Sequence, residues 1–132
     1  NINFISDGDV SGAISVAYPK KKIDIYLGIG GAPEGVLAAA ALKCMGCQMQ
    51  TRLFFQDSGD KIRAKKLDIK DLTKKYNIED MVKGDVIFCA TGVTDGDIVK
   101  GIKDHGKTFT SETLVFHKSS KINKIIKNYN KK

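Results

Sequence analysis

A glycine-rich turn between two apolar runs constrains the fold of this chain most. The turn, Gly28-Ile-Gly-Gly-Ala-Pro-Glu-Gly35, follows the apolar residues 23–27 and precedes the alanine- and leucine-rich residues 36–42. Pro33 suits the first helical position, because its missing N–H group would have no partner there anyway. The sequence therefore predicts a strand, a tight turn and a buried helix, with the Glu34 carboxylate in the first turn of that helix.

Such a turn can bind a ligand as well as reverse the chain. The free N–H groups at a helix start attract anions, and a carboxylate attracts a cation, so a sugar phosphate with a divalent metal is the ligand that fits best. A dinucleotide fingerprint would need a glycine at Pro33, and a Walker loop would need Gly-Lys-Ser/Thr before the helix; neither occurs. The alternative is a glycine turn that binds nothing.

A second acidic turn lies upstream. Asp7-Gly8-Asp9 follows the apolar residues 2–5 and leads into residues 10–14. Ligands of open α/β sheets bind outside the carboxyl ends of the strands. If the two strands are parallel neighbours, we expect Asp7, Asp9 and Glu34 to converge on one pocket. Taken alone, Asp-Gly-Asp is more typical of a solvated turn or a helix cap.

A third glycine-containing turn, residues 90–96, ends the apolar residues 85–89. Thr91 and Gly92 are expected to line the same pocket. Thr94 and Asp95 favour a helix cap.

These segments, with Thr110-Ser-Glu-Thr-Leu114, resemble the carboxyl-terminal half of class II fructose-1,6-bisphosphatase over nearly the whole chain. The most specific part is the glycine turn with its helix and Gln48-Met-Gln50 behind it. That family is similar in fold to the lithium-sensitive inositol monophosphatases. The resemblance assigns no particular residue of this chain to catalysis. It implies a divalent metal ligand at Glu34, for Mn²⁺ or Mg²⁺, and four residues that bind the sugar bisphosphate: Asp7, Gly8, Asp9 and Gly31.

The activity that the resemblance implies is metal-dependent hydrolysis of the C1 phosphate of fructose 1,6-bisphosphate, giving fructose 6-phosphate in gluconeogenesis. Two acidic motifs that supply most metal ligands in the family, Asp-Gly-Thr/Gly-Glu-Gly-Glu and Asp-Pro-x-Glu-Gly-Thr, do not occur in these 132 residues. We therefore interpret the chain, which begins at Asn1, as a piece of a longer phosphatase. Its expected partner is an amino-terminal metal-binding half, and the chain is expected to be inactive alone. The alternatives are a noncatalytic phosphosugar-binding module and, further off, a lysine-rich nucleic-acid-binding protein.

Length and composition favour one α/β domain over residues 1–132, with 42% hydrophobic and 28% charged residues. The alternation of apolar runs and helical patterns predicts a mostly parallel mixed sheet of about five strands between helix layers. Strands are expected over 2–6, 23–28, 50–55, 85–90 and 108–117. Helices are expected over 10–17, 33–45, 68–76, 95–103 and 119–129. The polar residues 57–66 are expected to be mobile, with a helical turn as an option.

Cysteine usage points to a reducing compartment. The chain has three cysteines, Cys44, Cys47 and Cys89. An odd number of cysteines without a secretory leader favours free thiols and a cytoplasmic location. The Cys44-Met-Gly-Cys47 spacing has no second pair for zinc and follows a helix, so we interpret these thiols as packing groups. No apolar run approaches the ~20 residues that cross a bilayer, so no membrane association is expected.

The net charge of +7 raises nucleic-acid binding as a possibility. Arginine occurs only at Arg52 and Arg63, and exposed aromatic residues are not clustered, so base recognition is not expected. Lys118, Lys121 and Lys124 begin a three-residue repeat that predicts a terminal helix with a solvated lysine face. The expected partners are a small sugar bisphosphate and, from the family resemblance, further copies of the chain.

Overall fold

A computed structural model describes residues 1–6 and 8–132 of the chain. Within these ranges the helices are α1 (Asp9–Ser15), α2 (Ala32–Met45), α3 (Ser58–Lys66) and α4 (Ile78–Met81), with a 3-10 turn over Pro19–Lys21. The strands are β1 (Gln50–Arg52), β2 (Lys75–Asn77), β3 (Ile87–Thr91), β4 (Lys103–Asp104), β5 (Thr108–His117) and β6 (Ile122–Lys131). The chain is therefore a mixed α/β protein, as predicted.

The sheets are antiparallel. Strand β5 pairs along its whole length with β6, from Thr108↔Lys131 to His117↔Ile122. On its other edge β5 pairs with β3 near its end and with β4 near its start. Strands β1 and β2 form a separate two-stranded sheet. The prediction of a mostly parallel sheet is wrong for the part of the chain described here.

Helix α2 is the element around which the rest packs. Its Ala41 is fully buried in a cluster with Phe88, Leu114 and Phe116 of the larger sheet. Ala39 and Leu42 contact a second cluster that includes Ile78 of α4. Alanine combines high helix propensity with a small side chain, so α2 lies close to its neighbours on both sides. The predicted helix over 33–45 is confirmed to within one residue at its start.

Two predicted strands, 2–6 and 23–28, are absent, although these residues are described. Phe4 is 94% exposed and Leu27 is 83% exposed. A strand needs a neighbour that accepts and donates its backbone hydrogen bonds. No described strand offers one to either segment, so most of their apolar side chains remain in solvent.

The polar stretch after β1 is a helix, and the helix predicted over 68–76 is wrong. The Asp57 carboxylate accepts the Asp60 N–H group at 2.9 Å and starts α3. Further along, Asp71 accepts hydrogen bonds from both the N–H and the hydroxyl of Thr73, at 2.8 and 2.7 Å. Such local side-chain bonds compete with helix formation, which explains the turn that leads into β2.

The helix predicted over 95–103 is also wrong, and with it the helix cap at Thr94 and Asp95. The Asp95 carboxylate instead accepts the Gly101 N–H group at 2.9 Å and closes a loop. The Ile102 N–H group bonds the Val93 carbonyl across that loop at 3.1 Å. These contacts replace the helical hydrogen bonds of the segment and lead it into β4.

The carboxyl-terminal segment is a strand, so the predicted helix over 119–129 is wrong. Ile122, Ile125 and Ile126 are β-branched and prefer strands, and ten residues of β5 offer them a complete register. Successive strand side chains point to opposite faces. Lys124 and Lys127 therefore lie on opposite faces of β6, and the expected continuous lysine face does not form.

The remaining predictions on single residues can be compared with the structure directly. His105 lies in the turn before Gly106, and His117 ends β5, as expected. The thiols are free; Cys44 and Cys47 are half-buried, and Cys89 is exposed. Within residues 1–6 and 8–132, the helices are too short or too polar to cross a membrane.

Candidate functional site

The first part of the candidate site is the start of α1. Asp9 is the first residue of this helix, and Gly8 precedes it in the left-handed conformation, with φ 78°. The Ser11 hydroxyl donates to the Gly8 carbonyl at 2.7 Å and fixes the turn. Asp7 lies outside the described residues, so its predicted sugar contact has no structural counterpart here.

The second part is the glycine turn and the start of α2. Gly31 precedes the helix in an extended conformation, and Pro33 lies in its first turn. The Glu34 side chain folds back over the Gly31 backbone, so that a Cβ atom at residue 31 would collide with its Oε2 atom. The structure thus places a carboxylate and the free N–H groups of a helix start side by side.

The two parts meet at one cleft of about 620 Å³. Gly8, Asp9 and Glu34 line it together with Ser6, Val10, Ser11 and Ile29. The approach is close: a Cβ atom at Gly30 would lie 2.5 Å from the Asp9 Oδ2 atom. Asp9 and Glu34 share this cleft because α1 packs against α2, and not because parallel strands bring them together.

A second cleft, of about 1000 Å³, adjoins the first through Asp9 and Ile29. Gly31 lines it, and so do two basic residues that no motif had marked, Arg52 and Lys75. These two residues are cross-strand partners in the β1–β2 sheet. Two positive charges therefore lie opposite each other, and the part of the cleft that they line is electropositive. An anion bound there would relieve their mutual repulsion.

Tyr26 is the other residue that sequence patterns did not single out. Its hydroxyl donates to the Asp9 Oδ1 atom at 3.4 Å. Burial raises the pKa of the Tyr26 hydroxyl, and the Asp9 charge and hydrogen bond raise it further. The phenol therefore stays protonated and remains a donor to Asp9 at neutral pH.

Metal ligands are few in this part of the protein. Residues 1–6 and 8–132 hold no group of three or more His, Cys, Asp or Glu side chains placed to bind one ion. Glu34 remains the single predicted ligand. Thr91 and Gly92 line neither cleft: the Thr91 hydroxyl bonds the Thr113 hydroxyl at 2.9 Å, and the Gly92 N–H group bonds the Glu112 carbonyl.

Asp85, His117 and Ser119 form a polar cluster elsewhere, at the end of β5. The Asp85 carboxylate accepts the Ser119 hydroxyl at 2.6 Å and contacts His117 Nε2 at 2.9 Å. The Ser119 hydroxyl bond, helped by His117, lowers the Asp85 pKa to about 2. Asp85 and Ser119 contact the same imidazole nitrogen of His117, Nε2. A catalytic triad needs the carboxylate and the hydroxyl on opposite ring nitrogens, so this cluster instead anchors the β5–β6 turn.

The chain is a mixed α/β protein with two adjoining clefts. Carboxylates at α1 and α2, helix N–H groups and a pair of basic residues surround adjoining clefts, and this combination suits a polar, anionic small molecule.

Comparison with known proteins identifies the family. The family model described as "Bacterial fructose-1,6-bisphosphatase, glpX-encoded" matches residues 1–130, and the chain belongs to this family. A "Fructose-1,6-bisphosphatase class 2" of Haemophilus influenzae is 39% identical over 92% of this chain and 40% of its own length. A "D-fructose 1,6-bisphosphatase class 2/sedoheptulose 1,7-bisphosphatase" of Synechococcus sp. (strain JA-3-3Ab) is 36% identical over 91% of this chain and 38% of its own length. The chain spans about two fifths of the length of these curated relatives.

Proposed function

We propose that this chain contributes sugar-binding residues and one metal ligand to a cytoplasmic class II fructose-1,6-bisphosphatase. The reaction is hydrolysis of the C1 phosphate of fructose 1,6-bisphosphate to fructose 6-phosphate, a step of gluconeogenesis. The observation that carries the proposal is the shared cleft, where Gly8, Asp9 and Glu34 meet beside the glycine turn of a chain that belongs to this family.

The sugar contacts follow from the chemistry of the cleft residues. An ionised carboxylate accepts strong hydrogen bonds, so Asp9, with Asp7 beside it in sequence, suits the hydroxyl groups of a sugar. The same charge repels phosphate. The phosphate groups of the ligand therefore face the N–H groups near Gly31, where the helix dipole favours an anion.

The proposed metal is Mn²⁺ or Mg²⁺, held in part by Glu34. The Glu34 carboxylate oxygens are the donors that such hard cations prefer, so the residue fits the ion in kind. One carboxylate is too few for a complete site, and the described residues add no cluster around it. When bound, the metal supplies Lewis-acid polarisation of the phosphoryl group. Glu34 contributes a fixed anion at the edge of the sugar cleft.

The proposed partner is an amino-terminal metal-binding half, such as the remaining three fifths of the relatives' length would provide. A folded monomer of 14.4 kDa is expected to expose about 6,800 Å², whereas this chain exposes 9926 Å². The exposed apolar residues include Ile2, Phe4, Ile25, Leu27 and Ile29. Apolar residues exposed beyond what a folded monomer shows suit a contact surface, and the segments 1–6 and 23–29, which pair with no described strand, are suited to strand pairing with that half.

Three further points belong to the proposal. Membership of the inositol-monophosphatase-like superfamily and assembly into a homo-oligomer are both proposed from the family resemblance. Nucleic-acid binding is not part of the function, because the lysines of β6 are split between two faces and the chain holds only two arginines.

The test is Glu34→Gln in the complete enzyme. The change keeps size and removes the charge, so we expect loss of fructose 6-phosphate formation and weaker Mn²⁺ binding by titration calorimetry, with little change in unfolding temperature. If Glu34 only stabilised the start of α2, its charge would be worth about 0.3–1 kcal/mol and turnover would hardly change. Glu79→Gln is the control for activity and metal binding, because Glu79 also lies in a first helical turn but lines neither cleft. Glu79 pairs with the buried Lys43 ammonium at 2.8 Å, so this control should lower the unfolding temperature without changing Mn²⁺ affinity. Wild-type turnover and Mn²⁺ affinity in Glu34→Gln would refute the metal role.

A further inference from the structure

The environment of Tyr26 connects the two turns of the candidate site. Its ring lies between Gly12 of α1 and Gly28 of the glycine turn. A Cβ atom would lie 2.8 Å from the ring if placed at Gly12, and 2.6 Å from the hydroxyl if placed at Gly28. Neither contact is tolerated in real structures, so glycine at these two positions makes room for the aromatic ring.

The Asp9 side chain is held in the same way. One carboxylate oxygen, Oδ1, accepts the Tyr26 hydroxyl, and the other, Oδ2, lies over Gly30, where a Cβ atom would meet it at 2.5 Å. Asp9 has no other side-chain hydrogen bond among the described residues. The orientation of the Asp9 carboxylate therefore depends on the Tyr26 hydroxyl and on the absence of a side chain at Gly30.

We propose that Tyr26 is a positioning residue for the Asp9 carboxylate, which it orients for the hydroxyl groups of the sugar. The inference rests on the proposed function, because it takes Asp9 as a sugar contact. Tyr26 itself need not touch the substrate. Its ring is fixed by the glycines on either side, and its hydroxyl restricts the rotation of Asp9.

The role predicts a specific kinetic signature. Tyr26→Phe removes the hydroxyl and keeps the ring, so the packing between Gly12 and Gly28 is retained. Loss of this hydrogen bond to a charged acceptor should raise the KM for fructose 1,6-bisphosphate roughly three- to tenfold. The kcat should be nearly unchanged, because the bond is made equally in the ground and transition states. The unfolding temperature should stay close to that of the wild type.

A double-mutant cycle in the complete, manganese-loaded enzyme tests the proposal. The four proteins are the wild type, Tyr26→Phe, Asp9→Ala and the double variant, and Tyr18→Phe is the control, since Tyr18 packs against the main core. Alanine is used at residue 9 because asparagine would still accept the Tyr26 hydroxyl. We expect Tyr26→Phe to raise KM in the wild-type background and to have little further effect in Asp9→Ala. The control should keep the wild-type KM.

The outcomes separate this inference from the proposed function. An unchanged KM in Tyr26→Phe, with a raised KM in Asp9→Ala, overturns the positioning role and leaves Asp9 as a sugar contact. The same increase of KM in both backgrounds also overturns it, because Tyr26 would then act independently of Asp9. A wild-type KM in Asp9→Ala refutes both the sugar contact and the role of Tyr26.

Discussion

Gly30→Ala is the substitution for which the structure makes the sharpest prediction. The added methyl group would lie 2.5 Å from Asp9 Oδ2, whereas real Cβ contacts start at about 3.0 Å. The carboxylate must therefore move by at least about 0.5 Å, which takes it out of its present orientation beside the Tyr26 hydroxyl, 3.4 Å away. Displacements of about 1 Å in a positioning group can cost ~100-fold in rate, so we expect kcat/KM to fall roughly 10- to 100-fold.

The assay is phosphate release from fructose 1,6-bisphosphate by the complete enzyme with manganese. Gly96→Ala is the matched control, because its Cβ atom would meet only the Val99 carbonyl oxygen, at an ordinary 3.5 Å, and it lines neither cleft. Thermal unfolding of both variants shows whether the protein still folds. If folded Gly30→Ala keeps kcat/KM within twofold of the wild type, the close approach of Asp9 and Gly30 has no part in substrate binding, and the reasoning is refuted.

Two further predictions concern stability. Phe116→Ala removes a fully buried ring that stacks on Phe88, and denaturant unfolding should show a loss of about 3–5 kcal/mol, against little change for Phe54→Ala, whose side chain is 61% exposed. The pKa of Asp85, lowered to about 2 by the Ser119 hydroxyl and His117, predicts stabilisation that is present above the ordinary Asp pKa of about 4 and lost as the pH falls through about 2. The unfolding temperature of the wild type should therefore fall more steeply over this pH range than that of Asp85→Asn, and parallel curves would contradict the assignment.

Local signals in the sequence were sufficient for α2 and for the strands β3 and β5. Helix α2 combines a glycine turn, Pro33 and a run of alanines, and each of these favours the same start and the same helix. Strand β5 was predicted over 108–117 and is observed over Thr108–His117. Where several local preferences agree, tertiary context changed little.

The errors lie where a partner segment or a side-chain bond decided the structure. The Lys/Ile repeat near the carboxyl terminus fits a helix, but pairing with β5 selects a strand, and no local pattern reveals that partner. Two predicted helices do not form because Asp71 and Asp95 accept hydrogen bonds from Thr73 and Gly101 instead. These bonds depend on turn geometry. The segments 2–6 and 23–28 have strand sequences but no strand to pair with among the described residues.

The sequence predicted that two candidate residues lie close together, although it did not predict the sheet. Asp9 and Glu34 were expected to share a pocket, and they line one cleft, although helix packing rather than parallel strands joins them. Tyr26 was not predicted, because an aromatic residue in an apolar run carries no mark of a polar role. Only the contacts of Gly12 and Gly28 with its ring reveal it.

The most direct test of the central claim is phosphate release from fructose 1,6-bisphosphate with manganese, comparing this 132-residue chain alone with its mixture with the amino-terminal half of a relative. The chain offers one predicted metal ligand and no ligand cluster in residues 1–6 and 8–132, so we expect no turnover by the chain alone. Turnover should appear in the mixture and be lost when the chain carries Glu34→Gln. Robust turnover by the verified chain alone, or equal turnover by the mixture containing Glu34→Gln, would contradict the account.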